Sequence, residues 1–271
     1  MAFSLLVPTD FLQPADSALA YADTLAGAID AHVVLLHVRR DALLDPERLT
    51  GRADAQSSEI IALALESLAS TVLAPVVTET RHGQVAPAVA AALGRHQPAL
   101  AVLGHRNTEA MPDELVATVP LDLLRTASQP MLVVPADAAT AVAPRRVLLA
   151  VDGEPFSLGE HTGVAHHLLV ALQAQLTLLH VAPHQSAVAD NKALEAVERT
   201  GLSLGLPALA FQHLTHADPA AGILQVIAEG QFELVALVAR PRSFLGALFH
   251  RSVTAQVLLH CPVPILVLPA A

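Results

Sequence analysis

Two stretches of the chain repeat one another without a gap. From Leu100 to Pro135 an apolar run (LAVLG) leads into a polar segment (HRNTEAMPDEL), a helix opening at Thr118 and a second apolar run (PMLVVP). From Leu234 to Pro269 the order recurs as LVALV, ARPRSFLGALFHR, a helix opening at Ser252, and PILVLP. Leu100 matches Leu234, Arg106 matches Arg240, Thr118 matches Ser252 and Pro130 matches Pro264, all at an offset of 134 residues. A repeat of that length restricts the chain to two copies of one domain-sized plan.

What precedes each stretch completes the plan. In the first copy, Ser4 to Pro8 is a short apolar strand ending at Thr9-Asp10, and Pro14 and Asp16 introduce a helix with Leu19, Ala22, Leu25, Ala26 and Ile29 at helical spacing. Val33 to Val38 is a continuous apolar strand of the kind buried on both faces of a parallel sheet. A helix over Ala55 to Ala69, a strand over Val76 to Arg81 and a helix over Val85 to Gly94 lead to the first repeated stretch. The second copy runs through strands Arg146 to Val151, Leu176 to Val181 and Ala210 to Leu214, with helices at His161 to Leu172, Leu194 to Leu204 and Ala221 to Glu229. The offset is 142 at Asp10 and Asp152, 143 at the two LLHV segments and 134 thereafter, which places a nine-residue deletion between the second and third strands. The order is βαβαβαβαβ in both halves. Right-handed crossovers turn such alternation into two doubly wound, mainly parallel five-stranded sheets with helices on both faces. Ala136 to Pro144, rich in Ala and Pro and without apolar periodicity, is the expected linker between domains at 1–136 and 145–271.

Composition matters here because 53% of residues are hydrophobic and the mean hydropathy is +0.51. The best candidate for a membrane span, His161 to Ala189, has no Asp, Glu, Lys or Arg, but His166, His167, Gln173, Gln175 and Pro183 interrupt it and it resolves into a helix and a strand. No membrane partner is expected. The amino terminus lacks the basic region of a signal peptide, and the single cysteine, Cys261, cannot form an intramolecular disulfide, so the expected location is the cytoplasm. A net charge of −10 argues against a nucleic-acid partner over the chain as a whole.

The first strands ending in Asp10 and Asp152, the LLHV second strands, the turns at His82-Gly83 and Ala217-Asp218-Pro219, and the closing Pro-x-Leu-Val-x-Pro together resemble a tandem universal stress protein, over nearly the whole chain. The resemblance implies that the final strands of the two halves pair, making an intramolecular pseudo-dimer. Further association of two chains into a homodimer is compatible with it. It also implies a nucleotide site, formed in the family by Gly-x2-Gly-x9-Gly-Ser/Thr after the fourth strand. Projected here, those positions are Gly104, Asn107, Ala117 and Thr118 in the first half, and Val238, Pro241, Arg251 and Ser252 in the second. Asp10, Val38, Gly104, Asn107 and Thr118 are then the nucleotide-binding candidates, with ATP and Mg²⁺ as the implied ligand of the first half.

Glycines in such a loop let backbone amides approach phosphate oxygens, and the following helix adds its positive end. The first half keeps Gly104, Asn107 tolerates the left-handed region, and Thr118 can cap the helix. Glu109, Asp113 and Glu114 oppose a polyphosphate unless a metal ion intervenes. The second half replaces two glycines by Val238 and Arg251 and a third by Pro241, which also lacks an amide donor. Asp152, Arg240, Arg242, Arg251 and Ser252 instead suggest a loop for a small anion or a protein partner. Phe244 with Leu248 and Leu245 with Phe249 also fit a helical plug filling the nucleotide's place. His37 and His180 lie within apolar strands and are expected to be hydrogen-bonded core histidines. His166-His167 and His213 with His216 lack metal-ligand spacing, so no metal site is expected. No catalytic constellation stands out, and no longer glycine-rich signature supports a nucleotide-dependent ligase or an electron-transfer flavoprotein. The sequence thus favours a non-enzymatic stress-response or regulatory protein that binds a partner or small anion, with an ATP-binding protein using the first-half site as the alternative.

Overall fold

The computed structural model describes residues 3–39, 52–106, 119–126, 128–138, 142–207, 209–240 and 252–270. The first half comprises β1 (Phe3–Thr9), α1 (Gln13–Ile29), β2 (Ala31–Arg39), α2 (Arg52–Ala69), β3 (Val76–His82), α3 (Val85–His96), β4 (Leu100–His105), α4 (Val119–Thr126) and β5 (Met131–Pro135). The second comprises β6 (Arg146–Val151), α5 (Thr162–Ala171), β7 (Gln175–Ala182), α6 (Ala187–Thr200), β8 (Ala210–Thr215), α7 (Pro219–Glu229), β9 (Leu234–Ala239), α8 (Val253–His260) and β10 (Ile265–Pro269). Within each half every strand pairing is parallel, as apolar runs such as LLHV require when helices cover both faces.

The two halves fuse into one ten-stranded sheet ordered β3-β2-β1-β4-β5-β10-β9-β6-β7-β8. The central pair, β5 with β10, is antiparallel, with Leu266 opposite Leu132, Ile265 opposite Val133 and Val267 opposite Met131. All six of these side chains are buried. Each withdraws an aliphatic group from water, worth roughly 1.5–3 kcal/mol per residue. Pairing through the final strands, implied by the resemblance, is thus present within the chain. It leaves β3 and β8 as the outer edges, and their mostly exposed residues, including Thr78, Arg81 and Gln212, blunt those edges.

Strand alternation divides the core into two layers that each cross the seam. Leu5, Val33, Leu35, Leu132 and Leu266 pack beneath α1 and α5, while Leu6, Val34, Leu36, Val133 and Val267 pack beneath α3, α4, α7 and α8. On the first face Phe3 of β1 stacks on His167 of α5, ring centroids 4.7 Å apart, tying the halves together again.

Most elements fall where periodicity places them. The exception is α6, which starts at Ala187 and not Leu194: Ser186 caps it by accepting from the Ala189 amide, and Gly201, at φ 76°, ends it. Its first two turns carry Asp190, Asn191 and Lys192, so an apolar pattern alone does not find them.

Candidate functional site

Each half opens a cavity at the carboxyl ends of its parallel strands, where the strand order reverses between the first and fourth strands. This is where open α/β sheets bind ligands. The first-domain cavity, about 470 Å³, is bordered by Asp10, Val38, Arg39, Leu103, Gly104 and Val119. The second, about 410 Å³, is bordered by Asp152, His180, Ile223, Val238, Arg240 and Thr254. Both volumes suit a small-molecule ligand.

The same turn builds the entrance of each. Asp10 accepts the Leu12 amide at 3.1 Å through Oδ1, and Asp152 accepts the Glu154 amide at 3.1 Å in the same way. The next residue has positive φ in both halves: Phe11 at 60° and Gly153 at 77°. Glycine adopts that region freely, whereas for a bulky residue it costs on the order of 1 kcal/mol or more. Phe11 is held there by the Thr9 hydroxyl, which accepts its amide at 3.0 Å, and by its ring against His37, centroids 4.6 Å apart. His37 Nδ1 in turn donates to the Thr9 carbonyl at 2.9 Å.

The aspartates then diverge. Arg240 closes over Asp152 with Nε to Oδ2 at 2.9 Å and a terminal nitrogen to Oδ1 at 2.8 Å. Its remaining contacts go to the Pro155 carbonyl at 3.1 Å and the Glu154 carbonyl at 2.8 Å. Burial works against ionisation of Asp152, but the Arg240 guanidinium and the Glu154 amide hold its carboxyl below the usual range. An anion at Arg240 would therefore have to displace the domain's own carboxylate. In the first half, among the described residues, no donor beyond the Leu12 amide reaches Asp10, and the matching arginine, Arg106, makes no ion pair with it.

Gly104 has a structural cause that the repeat conceals. A Cβ there would lie 2.0 Å from the Pro14 carbonyl oxygen and 2.9 Å from the Ala15 amide nitrogen, so the start of α1 rests directly on β4. Val238 occupies the matching place because the second half interposes a longer connection, with a 3-10 turn at Gly159–His161, before α5. The glycine is required by helix packing whether or not phosphate binds. Ser252, at the start of α8, is occupied as a helix cap, accepting the Ala255 amide at 3.1 Å. Asn107, Thr118, Arg242 and Arg251 lie outside the described residues, as do the acidic loop and the Phe244 to Phe249 segment.

The expected core histidines are hydrogen-bonded, His37 to Thr9 and His180 to Asp190 at 2.7 Å. Asp190, on the polar side of an amphipathic helix, carries no signal in the sequence that marks it as a partner of either histidine. Cys261 is buried, its thiol pushed up to about 12 by desolvation, and donates to the Val263 carbonyl. It is a packing residue.

The universal stress protein family model matches residues 1–135 and again 144–269. The chain belongs to the universal stress protein family. A universal stress protein of Mycobacterium tuberculosis is 33% identical over 108 residues, 38% of this chain and 33% of the relative, so the match spans about a third of that protein's length. Among solved structures, a universal stress protein from Archaeoglobus fulgidus superposes with a TM-score of 0.72 at 18% identity over 98% of both chains. The cytoplasmic domain of a prokaryotic cation chloride cotransporter also superposes, with a TM-score of 0.53 at 14% identity over 98% of this chain and 95% of that one. A fold shared with part of a transporter does not by itself assign a ligand. Among the described residues, no helix is long and apolar enough to cross a membrane.

Proposed function

We propose that the chain is a non-catalytic cytoplasmic stress-response protein that takes a nucleoside or nucleotide in its first-domain cavity, while the second domain holds its corresponding carboxylate closed. The carrying observation is the unequal fate of the two aspartates: among the described residues Asp10 has no cationic partner at the mouth of a cavity of about 470 Å³, whereas Arg240 grips Asp152 at 2.8 and 2.9 Å. A carboxylate at a strand end is suited to accept hydrogen bonds from ribose hydroxyls or a base amino group. Val38 and Leu103 supply an apolar wall for a ring system. The strained Phe11 backbone beside Asp10 supports the same reading, since such strain concentrates at ligand sites. Family membership supports the stress-response role. The Arg240 pairing weighs against a small-anion site centred on that residue.

Mass analysis of nucleotide released from freshly purified protein, followed by calorimetry with ATP and Mg²⁺, tests the reading. Retained or titratable adenine nucleotide that Asp10→Ala abolishes supports it. No retained nucleotide and no heat at millimolar ligand would return the first domain to partner binding.

A further inference from the structure

Among the described residues, a cluster of three ligating side chains stands in the second domain. β7 and β8 run parallel with His180 directly opposite His213, so the two imidazoles share one face of the sheet. The first turn of α6 lays Asp190 over them. His180 Nδ1 lies 2.7 Å and His213 Nδ1 lies 2.8 Å from the same Asp190 oxygen, and the three ligating atoms all fall within 4.8 Å of one another. Side-chain exposures of 5%, 10% and 15% remove the group largely from solvent.

We propose that His180 Nδ1, His213 Nδ1 and an Asp190 carboxylate oxygen bind a divalent transition metal ion of the zinc type, leaving the fourth position to water or to a ligand in the adjoining cavity. Two imidazoles and one carboxylate form a donor set that suits Zn²⁺, whereas Mg²⁺ and Ca²⁺ favour oxygen alone. Tetrahedral coordination at about 2.0–2.1 Å puts neighbouring ligand atoms about 3.3 Å apart. The two contacts to Asp190 therefore have to open by about 0.5 Å, and the two imidazole nitrogens, within 4.8 Å of each other, to close toward the same spacing. Two of the ligands stand on paired strands and the third on a capped helix, which keeps the donors convergent.

The protons balance. With both Nδ1 atoms bonded to one carboxylate oxygen, each imidazole carries its proton on Nδ1, and the ion takes the place of those two hydrogens. Each proton moves to Nε2. For His213 that nitrogen lies 3.2 Å from Thr215 Oγ1, which can then accept from it, the outer contact that orients a metal-bound histidine. His180 borders the second-domain cavity, so an exchangeable ligand can reach the ion from there. In the first half His37 is committed to the Thr9 carbonyl. Thr80, not a histidine, stands opposite His37 where His213 stands opposite His180. Among the described residues the cluster therefore stands in the second domain alone.

Metal-stripped full-length protein titrated with Co²⁺, followed by its visible absorption, and with Zn²⁺ in competition with a chromophoric chelator, tests this. The expected result is one tight equivalent per chain with a tetrahedral cobalt spectrum, binding at least about 100-fold weaker in His213→Gln and Asp190→Asn, and about 10–100-fold weaker in Thr215→Ala. Far-ultraviolet circular dichroism confirms that each variant is folded, and the mildest, Thr215→Ala, keeps the test open if Asp190→Asn is not. Absence of a tight equivalent, or affinity unchanged in His213→Gln and Thr215→Ala, would overturn the site. The cluster would then be a hydrogen-bonded clasp between α6 and the sheet. ATP binding in the first domain is measured separately and neither result decides the other.

Discussion

Substituting alanine for Gly104 separates a packing glycine from a phosphate-loop glycine. The added methyl would sit 2.0 Å from the Pro14 carbonyl oxygen, 2.3 Å from its carbon and 2.9 Å from the Ala15 nitrogen, all backbone atoms that no rotamer change can move aside. Ordinary contact begins near 3.4 Å, so the start of α1 must retreat from β4 by more than about 1 Å, disturbing the packing of Ala15, Ala18 and Leu19. Overpacking of this kind costs about 2–3 kcal/mol. In a chain of this size that lowers the thermal midpoint by roughly 4–10 °C. Gly94, exposed in α3 with nothing within 4 Å of where an added methyl would sit, is the internal control, and Gly94→Ala should leave stability unchanged or raise it by up to about 1 kcal/mol. Urea titration of the three proteins gives the comparison. A Gly104→Ala protein as stable as the wild type would refute the packing account and return the glycine to ligand binding.

Two further outcomes follow from buried polar groups. The Tyr21 hydroxyl is buried and without a hydrogen-bond partner among the described residues, its ionisation pushed well up by burial and then by the charge of Glu233, so Tyr21→Phe should keep stability or raise it by up to about 1 kcal/mol in urea titration. A loss of more than about 1 kcal/mol would mean that the hydroxyl has a partner. Burial opposes ionisation of Glu79, but hydrogen bonds from His96, Arg81 and Arg95 outweigh it and lower its carboxyl to about 2. Its stabilisation is complete above the unfolded carboxylate value of about 4.3 and disappears as pH falls through the folded one. The gap in urea midpoint between wild type and Glu79→Gln should therefore shrink steadily from pH 5 toward pH 2, and a gap independent of pH would contradict this.

The fold was legible because its cause is local and repeated. Apolar runs such as VVLLHV and LTLLHV, alternating with helices, suit strands buried on both faces of a parallel sheet, and the constant offset from the third strand onward carried the plan into the second half. The site was legible only in part. Asp10 and Asp152 look equivalent along the chain, and their difference lies in a contact between Asp152 and Arg240, 88 positions apart. Gly104 resembles the remnant of a phosphate motif until α1 is seen resting on it. Asp190 was hidden because it lies in polar helical turns, and only the pairing of His180 with His213 across two strands gives it a role. Through-space pairing of this kind leaves no periodicity to find.

The central claim is that two homologous cavities are unequal because, among the described residues, Asp10 has no cationic partner whereas Asp152 is held by Arg240. Equilibrium dialysis of ATP with Mg²⁺ against wild type, Asp10→Ala and Arg240→Ala measures it directly. Arg240→Ala should cost on the order of 1–2 kcal/mol of stability, since the Asp152 carboxylate is about half exposed but the Arg240 side chain is only 15% exposed and also donates to the Pro155 and Glu154 carbonyls. The account predicts one nucleotide per chain in the wild type, none in Asp10→Ala, and one retained in Arg240→Ala. Two equivalent sites in the wild type, or binding that survives Asp10→Ala but is lost in Arg240→Ala, would contradict it.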